Sequence, residues 1–597
     1  EELGLLKMDF LGLRTLTVIQ DAERLASISS GKTIDINKID YDDKAVLASI
    51  GTGKTDGVFQ LESAGMKNFM KELKPQNLED IIAGISLYRP GPMDFIPQYI
   101  KGKNNPDSIT YDCPQLEPIL APTYGCIVYQ EQVMQIVRDL AGYTLGRSDL
   151  LRRAMSKKKG DVMQKERQNF VYGNPDEGVP GCIANGIDEK TANKIYDEMI
   201  DFAKYAFNKS HAAAYAVVSY QTAWLKYYYP VEFMAALMTS VIDNPGKVSE
   251  YIYSCRQMGI KILPPDINKG EGSFSVDGGN IRYGLAAIKS IGKPVIESII
   301  QERKNGGEFS NLKDFIERLS GKEVNKRTIE SFIKSGAFDS LGGTRKQFMV
   351  VYVQILDQVN RERKYSMTGQ LSLFDIVSDD QKSEFDIPLP DVGEYEKETK
   401  LAFEKEVLGV YLSGHPLEDY EEKWKKNISR TTLDFQIDDE TGRTKVHDGA
   451  KEIVGGMITN KTIKYTKTNK VMAFITLEDL VGSVEVVIFP RDFEKNQMYL
   501  NEEAKVFIKG RVSEEDDAPS KLICEQVIPF EQTKKELWLQ YPDKATYLQQ
   551  EGMLQDILKV SEGMDEVIIY CRKEKAVKRL AKGWNVTADE VLLSRLT

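Results

Sequence analysis

The spacing of apolar residues changes along this chain, from helical between about residues 20 and 260 to strand-like between about residues 450 and 530. Recurrence at every third or fourth position, as in the first stretch, is typical of amphipathic helices. The second stretch predicts short strands at residues 452–458, 471–477, 483–489, 504–512 and 521–528. Strands at this spacing indicate a small barrel, for which the OB-fold is the natural candidate.

The length of the chain, 597 residues, exceeds the roughly 250 to 300 residues at which a single hydrophobic core stops growing. We therefore expect roughly three to six domains. Residues 376–400 hold eight acidic and three basic residues, a composition that suits a solvated linker. After the barrel, a strand at 566–571 and a helix at 588–596, with Thr587 as its predicted N-cap, indicate a small α+β module.

The amino-acid composition of the chain favours some classes of protein over others. Apolar residues make up 41% and charged residues 28% of the chain, as is ordinary for a soluble globular protein. The net charge of −11 argues against a uniformly basic coat for nucleic acid, so a phosphate-binding surface has to come from the local distribution of bases. The six cysteines lie far apart without a C-x-x-C pair, which predicts reduced, structural thiols rather than a zinc site.

Neither a membrane span nor a leader is expected. The longest uncharged run, residues 211–225, is shorter than the about 18 residues that a span requires, so it predicts a buried helix. No charged-then-apolar leader precedes residue 1, which favours a cytoplasmic protein. The chain starts Glu1-Glu2 without methionine, so we expect a fragment of a longer protein.

Residues 51–55, Gly-Thr-Gly-Lys-Thr, end like a phosphate-binding P-loop. The full motif G-x-x-x-x-G-K-[ST] requires a glycine where this chain has Ala48, and it follows a β-strand, which the pattern here does not predict. A turn is therefore favoured over an ATP-hydrolysing site.

The strongest basic cluster comprises Arg147, Arg152, Arg153, Lys157, Lys158, Lys159, Lys165 and Arg167. In the predicted helix of residues 149–155, apolar positions occupy one side, so Arg152 and Arg153 project from the other. Their forked donors suit phosphate oxygens. A solvated helix face, which accounts for most charge runs, is the alternative.

The turn Phe207-Asn208-Lys209-Ser210-His211 stands immediately before the uncharged helix. Asn208 or Ser210 can cap that helix. Free N–H groups at its start, together with Lys209 and His211, would make an anion site. A plain cap that binds no ligand is the alternative.

Two short helical hairpins are predicted, one at residues 285–300 with a turn at 291–294 and one at residues 309–338. They are similar to helix-hairpin-helix units, whose turns offer backbone N–H groups to duplex phosphates. Ordinary αα-hairpins are the alternative.

The peptide Gln370-Leu371-Ser372-Leu373-Phe374 lies at the edge of the acidic linker. It carries apolar anchors in an otherwise polar stretch, and such a peptide can enter a groove on a partner. Local packing is the alternative, since large apolar residues in a polar segment need some burial.

Near the start of the chain, Lys7 and Asp9 share one face of a predicted period-2 strand that Gly12 ends. Two Mg²⁺ ions need several converging carboxylates, so Asp9 alone is weak support for metal-dependent chemistry. The acids at residues 40–42 and 438–440 lack strand-like alternation and are interpreted as surface acids.

A series of longer segments occurs in the order KMDFLGLRTLT, GVFQLES, YRPGPM, PTYGCIVYQEQVMQI, DLLRRAMSKKK, FNKSHAAAYA, ILPPDIN, SGAFDSLG and LGVYLSGHPL. In content and order they resemble the alpha subunits of bacterial DNA polymerase III, the C family of replicative DNA polymerases. The resemblance covers most of the chain. In that family the other two catalytic aspartates, the thumb and an N-terminal phosphoesterase-like domain lie upstream, so the chain is similar to a carboxyl-terminal half.

The resemblance implies a multidomain, mainly α fold with an α/β palm remnant, an OB-fold β-barrel and a small C-terminal α+β module. The implied domains are the end of a nucleotidyltransferase-type palm (1–20), helical fingers (21–275), a clamp-binding domain with helix-hairpin-helix units (276–375), an acidic linker and connector (376–448), the OB-fold (449–530) and a module that contacts the clamp loader (531–597).

The resemblance also implies site residues. Asp9 matches the third catalytic aspartate, a ligand of the catalytic metal, and Lys7 lies near the triphosphate of the incoming nucleotide. Arg152 and Arg153 match fingers residues that face this triphosphate. The remaining nucleotide-binding residues implied at the same pocket are Asn208, Lys209, Ser210 and His211.

The implied function is that of a DNA-directed DNA polymerase, a nucleotidyltransferase that extends a primer 3′ end with dNTPs and two Mg²⁺ ions. The implied partners are primer–template DNA, single-stranded template, the sliding clamp, bound through residues 370–374, and a clamp-loader subunit, with no membrane. The alternative is that this chain alone is inactive and serves as a DNA-, clamp- and loader-binding fragment. A third hypothesis, ATP hydrolysis that depends on Lys54, is not favoured.

Overall fold

The computed structural model describes residues 8, 12–156, 160–203, 207–319, 321, 324–367, 387–437, 444–466, 469–515, 518–532, 536–561, 563, 565–588 and 590–596. The chain divides into two compact units, Glu1–Pro416 and Leu417–Thr597. No described helix combines the length and the apolar character that crossing a membrane requires.

The first unit is mainly helical. Its α-helices in the described residues are Arg14–Ser30, Lys44–Gly51, Ala64–Leu73, Leu78–Leu87, Ile96–Asn104, Glu117–Leu120, Gln130–Ala141, Leu145–Ser156, Gly160–Tyr172, Glu189–Ala203, Lys209–Tyr228, Pro230–Ser240, Pro245–Gln257, Lys293–Gly306, Leu312–Leu319, Lys326–Ser335, Arg345–Met367 and Lys397–Leu408. A small sheet joins β1 (Ile262–Leu263), β2 (Ser275–Asp277) and β3 (Asn280–Arg282) in the order β1-β3-β2.

Side-chain caps explain where several of these helices begin. The N-cap side chain accepts a backbone N–H bond at Asp43, Ser63, Asn77, Asn208, Asn244 and Asn325. Each such cap contributes about 1 kcal/mol, because it satisfies a donor that the helix itself leaves without a partner.

The described residues of the first unit contain three hydrophobic cores. One joins helix Arg14–Ser30 to helix Pro230–Ser240 and continues through residues 248–359 and 407–412. The second lies within residues 113–202, and the third combines residues 46–99 with residues 126–129 and 212–223. Because the third core draws on distant segments, it fixes residues 126–129 beside the helix that follows residue 208.

The predicted hairpins differ in outcome. The second is confirmed, as helices Leu312–Leu319 and Lys326–Ser335. In the first hairpin, the predicted helix before the turn is wrong, because residues Leu285–Ala287 form only a 3₁₀ turn. The helix of this hairpin begins at Lys293. Pro294 fits the start of this helix, and Ser290 adopts a left-handed backbone with φ of 70° that prevents an earlier start.

The second unit begins with short helices and a closed barrel. Helix Glu421–Asn427 precedes the barrel, and helix Pro490–Asn496 lies within its sequence. The barrel strands are β4 (Lys451–Tyr465), β5 (Val471–Glu478), β6 (Ser483–Ile488), β7 (Lys505–Glu515) and β8 (Ala518–Pro529), in the order β4-β5-β6-β8-β7. Strands β6 and β8 are parallel and the other pairs antiparallel. The predicted five-stranded OB-type barrel is therefore confirmed.

Strand β4 is longer than predicted. Its partner β5 pairs with it out to Tyr465, past an irregularity between Ile458 and Asn460. The outer residues of β4 are largely exposed, so they lack the apolar alternation by which a half-buried strand is recognised. The buried part, which ends at Ile458, is the part that the pattern predicts.

A second, smaller sheet follows the barrel. Strands β9 (Glu536–Tyr541) and β10 (Glu566–Cys571) are parallel, β11 (Ala576–Arg579) is antiparallel to β10, and the helices are Lys544–Leu558 and Glu590–Leu596. The predicted strand at 566–571 is confirmed. The final helix begins at Glu590 rather than at Ala588.

The cysteines are structural, as predicted. All six are free and buried. Burial raises the pKa of Cys126, Cys182, Cys255 and Cys524 to about 12, so these thiols stay protonated and unreactive at neutral pH.

Candidate functional site

Two groups of predicted site residues lie outside the described residues. Lys7 and Asp9 belong to the segment before helix Arg14–Ser30. Gln370, Leu371, Ser372, Leu373 and Phe374 belong to the segment after helix Arg345–Met367. The site that the structure describes is therefore the one predicted around Arg152 and residues 208–211.

Asn208 caps helix Lys209–Tyr228, as predicted. Its Oδ1 atom accepts the N–H of His211 at 2.9 Å. The carboxylate of Glu131 accepts the N–H of Lys209, with its two oxygens 3.2 and 3.1 Å from that nitrogen, and a bond from Asn208 Nδ2 at 3.2 Å. The expectation that these backbone groups are free is wrong, because a protein carboxylate already occupies the positive end of the helix.

Cationic and aromatic side chains surround this helix start. Lys209 Nζ lies 3.0 Å from a Glu79 carboxylate oxygen and 5.2 Å from the ring centroid of Tyr129. The guanidinium of Arg89 stacks 4.0 Å from the ring centroid of Phe207. Burial lowers the pKa of the Arg89 guanidinium below its ordinary value.

The ring of His211 lies among aromatic rings. Its centroid is 5.3 Å from that of Phe207 and 4.3 Å from that of Tyr215. Ser210, the remaining predicted residue of the turn, is exposed. The turn at 207–211 therefore has an exposed residue, Ser210, next to the imidazole of His211, which packs against aromatic rings.

Arg152 is held in place by two neighbours. Its Nη1 atom donates to Gln130 Oε1 at 2.9 Å, and its Nε and Nη2 atoms donate to Asp149 Oδ1 at 3.0 and 2.7 Å. Arg153 binds the other oxygen of Asp149 at 2.8 Å and is more exposed, at 63% against 19% for Arg152. The hydrogen bond from Arg152 is the main reason that the pKa of Asp149 lies below its ordinary value.

Gln130 connects the two predicted parts of the site. Its backbone N–H donates to the carbonyl of Phe207 at 2.9 Å, and the N–H of Phe207 donates to Val128 at 3.3 Å. Since its side chain accepts from Arg152, one residue links the basic helix to the turn at 207–211. The N-terminal turn of helix Gln130–Ala141 is thus the centre of the site.

Sequence reasoning missed Arg89, Gln130, Glu131 and Asp149 as members of the site. All four lie within segments that carry the family resemblance, YRPGPM, PTYGCIVYQEQVMQI and DLLRRAMSKKK, and this was the available indication. The contacts of Arg89, Gln130 and Glu131 join positions far apart in sequence, so periodicity could not identify them, whereas Asp149 pairs within its own helix.

The cluster suits a polyanion. It contains four cations: Arg152, Arg153 and Lys209 are each paired with a carboxylate, and Arg89 is stacked on a ring. Charge-assisted bonds from guanidinium and ammonium groups to phosphate oxygens are about as strong as those to carboxylates. A triphosphate can therefore replace Asp149 and Glu79 as partner of these cations.

The described residues do not supply a metal centre, because they contain no group of three or more His, Cys, Asp or Glu side chains placed to hold an ion.

Residues 51–55 are not a P-loop either. Gly51 ends helix Lys44–Gly51, and the buried hydroxyl of Thr55 donates to the carbonyl of Leu61. A P-loop follows a strand and keeps this hydroxyl for a metal ion, so the interpretation as a turn is confirmed.

The outer part of the β4–β5 hairpin carries exposed aromatic and basic groups. Tyr465 is 68% exposed and Ile463 is 48% exposed. Lys464 Nζ lies 4.6 Å from the ring centroid of Phe474. Stacking faces next to cations are the features by which OB-folds bind single strands.

Three regions of the chain match models of known families. Residues 15–178 match the bacterial DNA polymerase III alpha subunit finger domain, residues 259–348 a helix-hairpin-helix motif, and residues 453–530 an OB-fold nucleic acid binding domain. The chain thus combines a polymerase finger domain with two modules of nucleic-acid-binding type.

The chain is also similar to proteins named DNA polymerase III subunit alpha. It is 41% identical to that of Thermus aquaticus over 87% of this chain and 41% of the relative. It is 37% identical to those of Mycobacterium tuberculosis (strain H37Rv) and Bacillus subtilis (strain 168), over 100% of this chain and 50% and 52% of the relatives. The family resemblance is therefore confirmed, and the chain spans about half the length of the curated relatives it matches.

Proposed function

We propose that this chain is part of a replicative DNA-directed DNA polymerase that extends a primer 3′ end with deoxynucleoside triphosphates. The observation that carries the proposal is the cluster in the finger domain where Gln130 joins Arg152 to the turn at 207–211. The names of the relatives agree with this activity. The same proposal includes the domain boundaries that the sequence predicts and a location in the cytoplasm.

In this proposal Arg152, Arg153 and Lys209 bind the triphosphate of the incoming nucleotide. Negative charge grows on the leaving pyrophosphate during nucleotidyl transfer, so fixed cations at this position lower the barrier. Arg89 and His211 would line the same pocket, with Gln130 orienting Arg152. Asp9, with carboxylates from the upstream part of the full-length protein, would hold two Mg²⁺ ions, which stabilise the attacking and leaving oxygens when bound.

Arg152→Ala in the full-length protein is expected to lower kcat/KM for dNTP incorporation by about 100-fold, because it removes a preorganised cation from the transition state. Gln130→Ala should cause a smaller loss, about 10-fold, because Arg152 would lose only its orientation. Steady-state primer extension measures both. Arg167→Ala is the matched control, since Arg167 belongs to the same basic cluster but pairs with Asp197 and stacks 4.9 Å from the ring centroid of Tyr196. Equal losses for Arg152→Ala and Arg167→Ala would contradict the assignment.

A second candidate is that the chain by itself is an inactive fragment that binds DNA, clamp and loader. The matches to a helix-hairpin-helix motif and to an OB-fold nucleic acid binding domain support the binding part of this candidate. Primer extension by the purified chain, alone and mixed with a protein that supplies the upstream half, separates the candidates. We expect extension only from the mixture, and robust extension by the chain alone would show that this second candidate is wrong.

We further propose that the barrel takes single-stranded template and that the helix-hairpin-helix region takes duplex DNA. Tyr465, Lys464 and Phe474 on the β4–β5 hairpin offer stacking and charge for a single strand. The turn at Gly292 before helix Lys293–Gly306 lies within residues 259–348, which match a helix-hairpin-helix motif, and such motifs suit duplex phosphates.

Contact with a sliding clamp is proposed for Gln370 to Phe374, and contact with a clamp loader for residues 531–597. The described residues on both sides of the clamp peptide support a tethered arrangement. Gln347 Nε2 donates to the carbonyl of Pro390 at 2.9 Å, and Thr344 Oγ1 donates to that of Gly393 at 2.7 Å. The residues around Pro390 and Gly393 therefore lie beside the beginning of the 23-residue helix Arg345–Met367.

Replacement of Gln370, Leu373 and Phe374 by alanine should abolish clamp binding and leave distributive DNA synthesis by the full-length protein unchanged. The reason is that a peptide with few apolar anchors loses its affinity when these are removed. Surface plasmon resonance with immobilised clamp measures the affinity. Unchanged binding would refute the assignment of this peptide.

A further inference from the structure

Two neighbouring clefts open at the end of helix Lys44–Gly51, away from the cluster around Gln130. Their volumes are about 560 and 550 Å³, and both are lined by Thr52. Tyr227 and Lys54 line the first cleft and Lys74 lines the second. Because Thr52 lines both, the two clefts are adjacent, and we call them together the Thr52 groove.

The Thr52 groove has an excess of positive charge. Lys54 and Lys74 are exposed, and among the described residues no carboxylate lies within ion-pair distance of either ammonium group. The acid that lines the groove, Asp56, is paired with Lys67. Lys44, in the second cleft, is paired with Asp42. Lys54 and Lys74 therefore remain available to anions.

Hydrogen bonds and ring contacts hold the groove in shape. Lys226 Nζ donates to the carbonyls of Lys54 and Asp56, at 3.1 and 2.7 Å, so the loop that carries Lys54 is anchored to helix Lys209–Tyr228. Tyr227 is 46% exposed, and its ring contacts that of Tyr228 edge-on, with centroids 4.9 Å apart. The half-exposed ring of Tyr227, held by its neighbour Tyr228, can stack on a ligand and loses little side-chain entropy when the ligand binds.

We propose that the Thr52 groove binds single-stranded nucleic acid, with Lys54 and Lys74 on backbone phosphates and a base stacked on Tyr227. Lysines that follow a groove with an aromatic ring beside them are the combination that non-sequence-specific single-strand sites use. The inference rests on the proposed function, because in a polymerase the strand is the unpaired template. It adds to the barrel a second single-strand contact, located in the finger domain.

The lysines also have a simpler explanation. Lys54 follows the end of helix Lys44–Gly51, and Lys74 is the C-cap of helix Ala64–Leu73. Positive charge is favourable at a helix C-terminus. That explanation predicts a loss of stability, without a change in DNA binding, when the lysines are neutralised.

The test uses the full chain and a fluorescently labelled oligo(dT), with fluorescence anisotropy measured over a range of salt concentrations. For Lys54→Gln/Lys74→Gln we expect the slope of log K against log salt to fall by about 1.4, because each phosphate contact to a single strand contributes about 0.7. Tyr227→Ala should weaken binding about 5- to 150-fold, the loss of one stacked base. The control is Lys32→Gln/Lys190→Gln, which removes the same charge from two exposed lysines that line neither cleft.

The outcomes separate this inference from the proposed function. If the unaltered chain does not bind the oligonucleotide, both are wrong. If it binds and the Lys54→Gln/Lys74→Gln variant has the salt slope of the control, only the groove is wrong, and a lowered melting temperature would then assign the lysines to the helix ends. An oligonucleotide with 4-thiothymidine should photocrosslink to the peptide that contains Tyr227, and crosslinks confined to residues 451–529 would overturn the inference.

Discussion

Asp80→Ala is expected to lower the free energy of unfolding of the helical unit by about 3 to 5 kcal/mol. Asp80 Oδ2 lies 2.8 Å from Lys103 Nζ, and the two side chains are only 2% and 6% exposed. Lys103 also donates to the carbonyls of Leu73 and Lys74, at 2.8 and 2.9 Å. Without the carboxylate a buried ammonium keeps its charge but has no opposite charge, and this desolvation cost is the source of the loss.

The effect is best measured by urea denaturation combined with hydrogen–deuterium exchange of residues 64–104. Asp357→Ala is the matched control, because Asp357 pairs with Lys326 at 3.5 Å with both side chains more than half exposed. Exposed pairs contribute about 0 to 1 kcal/mol, so this variant should behave like the unaltered protein. A loss below about 1 kcal/mol for Asp80→Ala would show that the buried pair is not required.

Asp9→Ala in the full-length protein is expected to abolish primer extension and to leave DNA binding largely intact. Under the proposed function Asp9 is a ligand of a two-metal centre, and such a centre needs several converging carboxylates. Asp9 lies a few residues before helix Arg14–Ser30, whose Val18, Ile19 and Ala22 belong to the largest core of the first unit. The helix that follows Asp9 in the sequence is therefore firmly packed.

Primer extension and DNA binding are to be measured on the same preparations. Asp21→Ala is the control, since Asp21 lies on helix Arg14–Ser30 and pairs with Arg24 at 3.4 Å. It should leave extension unchanged. Extension by the Asp9→Ala protein at the rate of the unaltered protein would rule out Asp9 as a metal ligand.

Several features follow from the sequence alone because they depend on local chemistry. The barrel strands are evident from alternation wherever one face is buried, and β10 has the predicted bounds. Asn208 caps its helix because its short amide side chain reaches the N–H group three residues on. The family is also determined by sequence, since its segments occur in order along the chain.

The tertiary structure decided which charges meet. Asp149 pairs with Arg152 and Arg153 from three and four positions earlier on the same helix, whereas only the fold brings Gln130 to Arg152. Likewise, the helix start at 208–211 has the pattern of an anion site, and Glu131 occupies it. The periodicity of the sequence indicates on which face of a helix a residue lies. The side chain that it contacts there can come from a segment up to about 80 positions away, and this contact forms only when the hydrophobic cores pack.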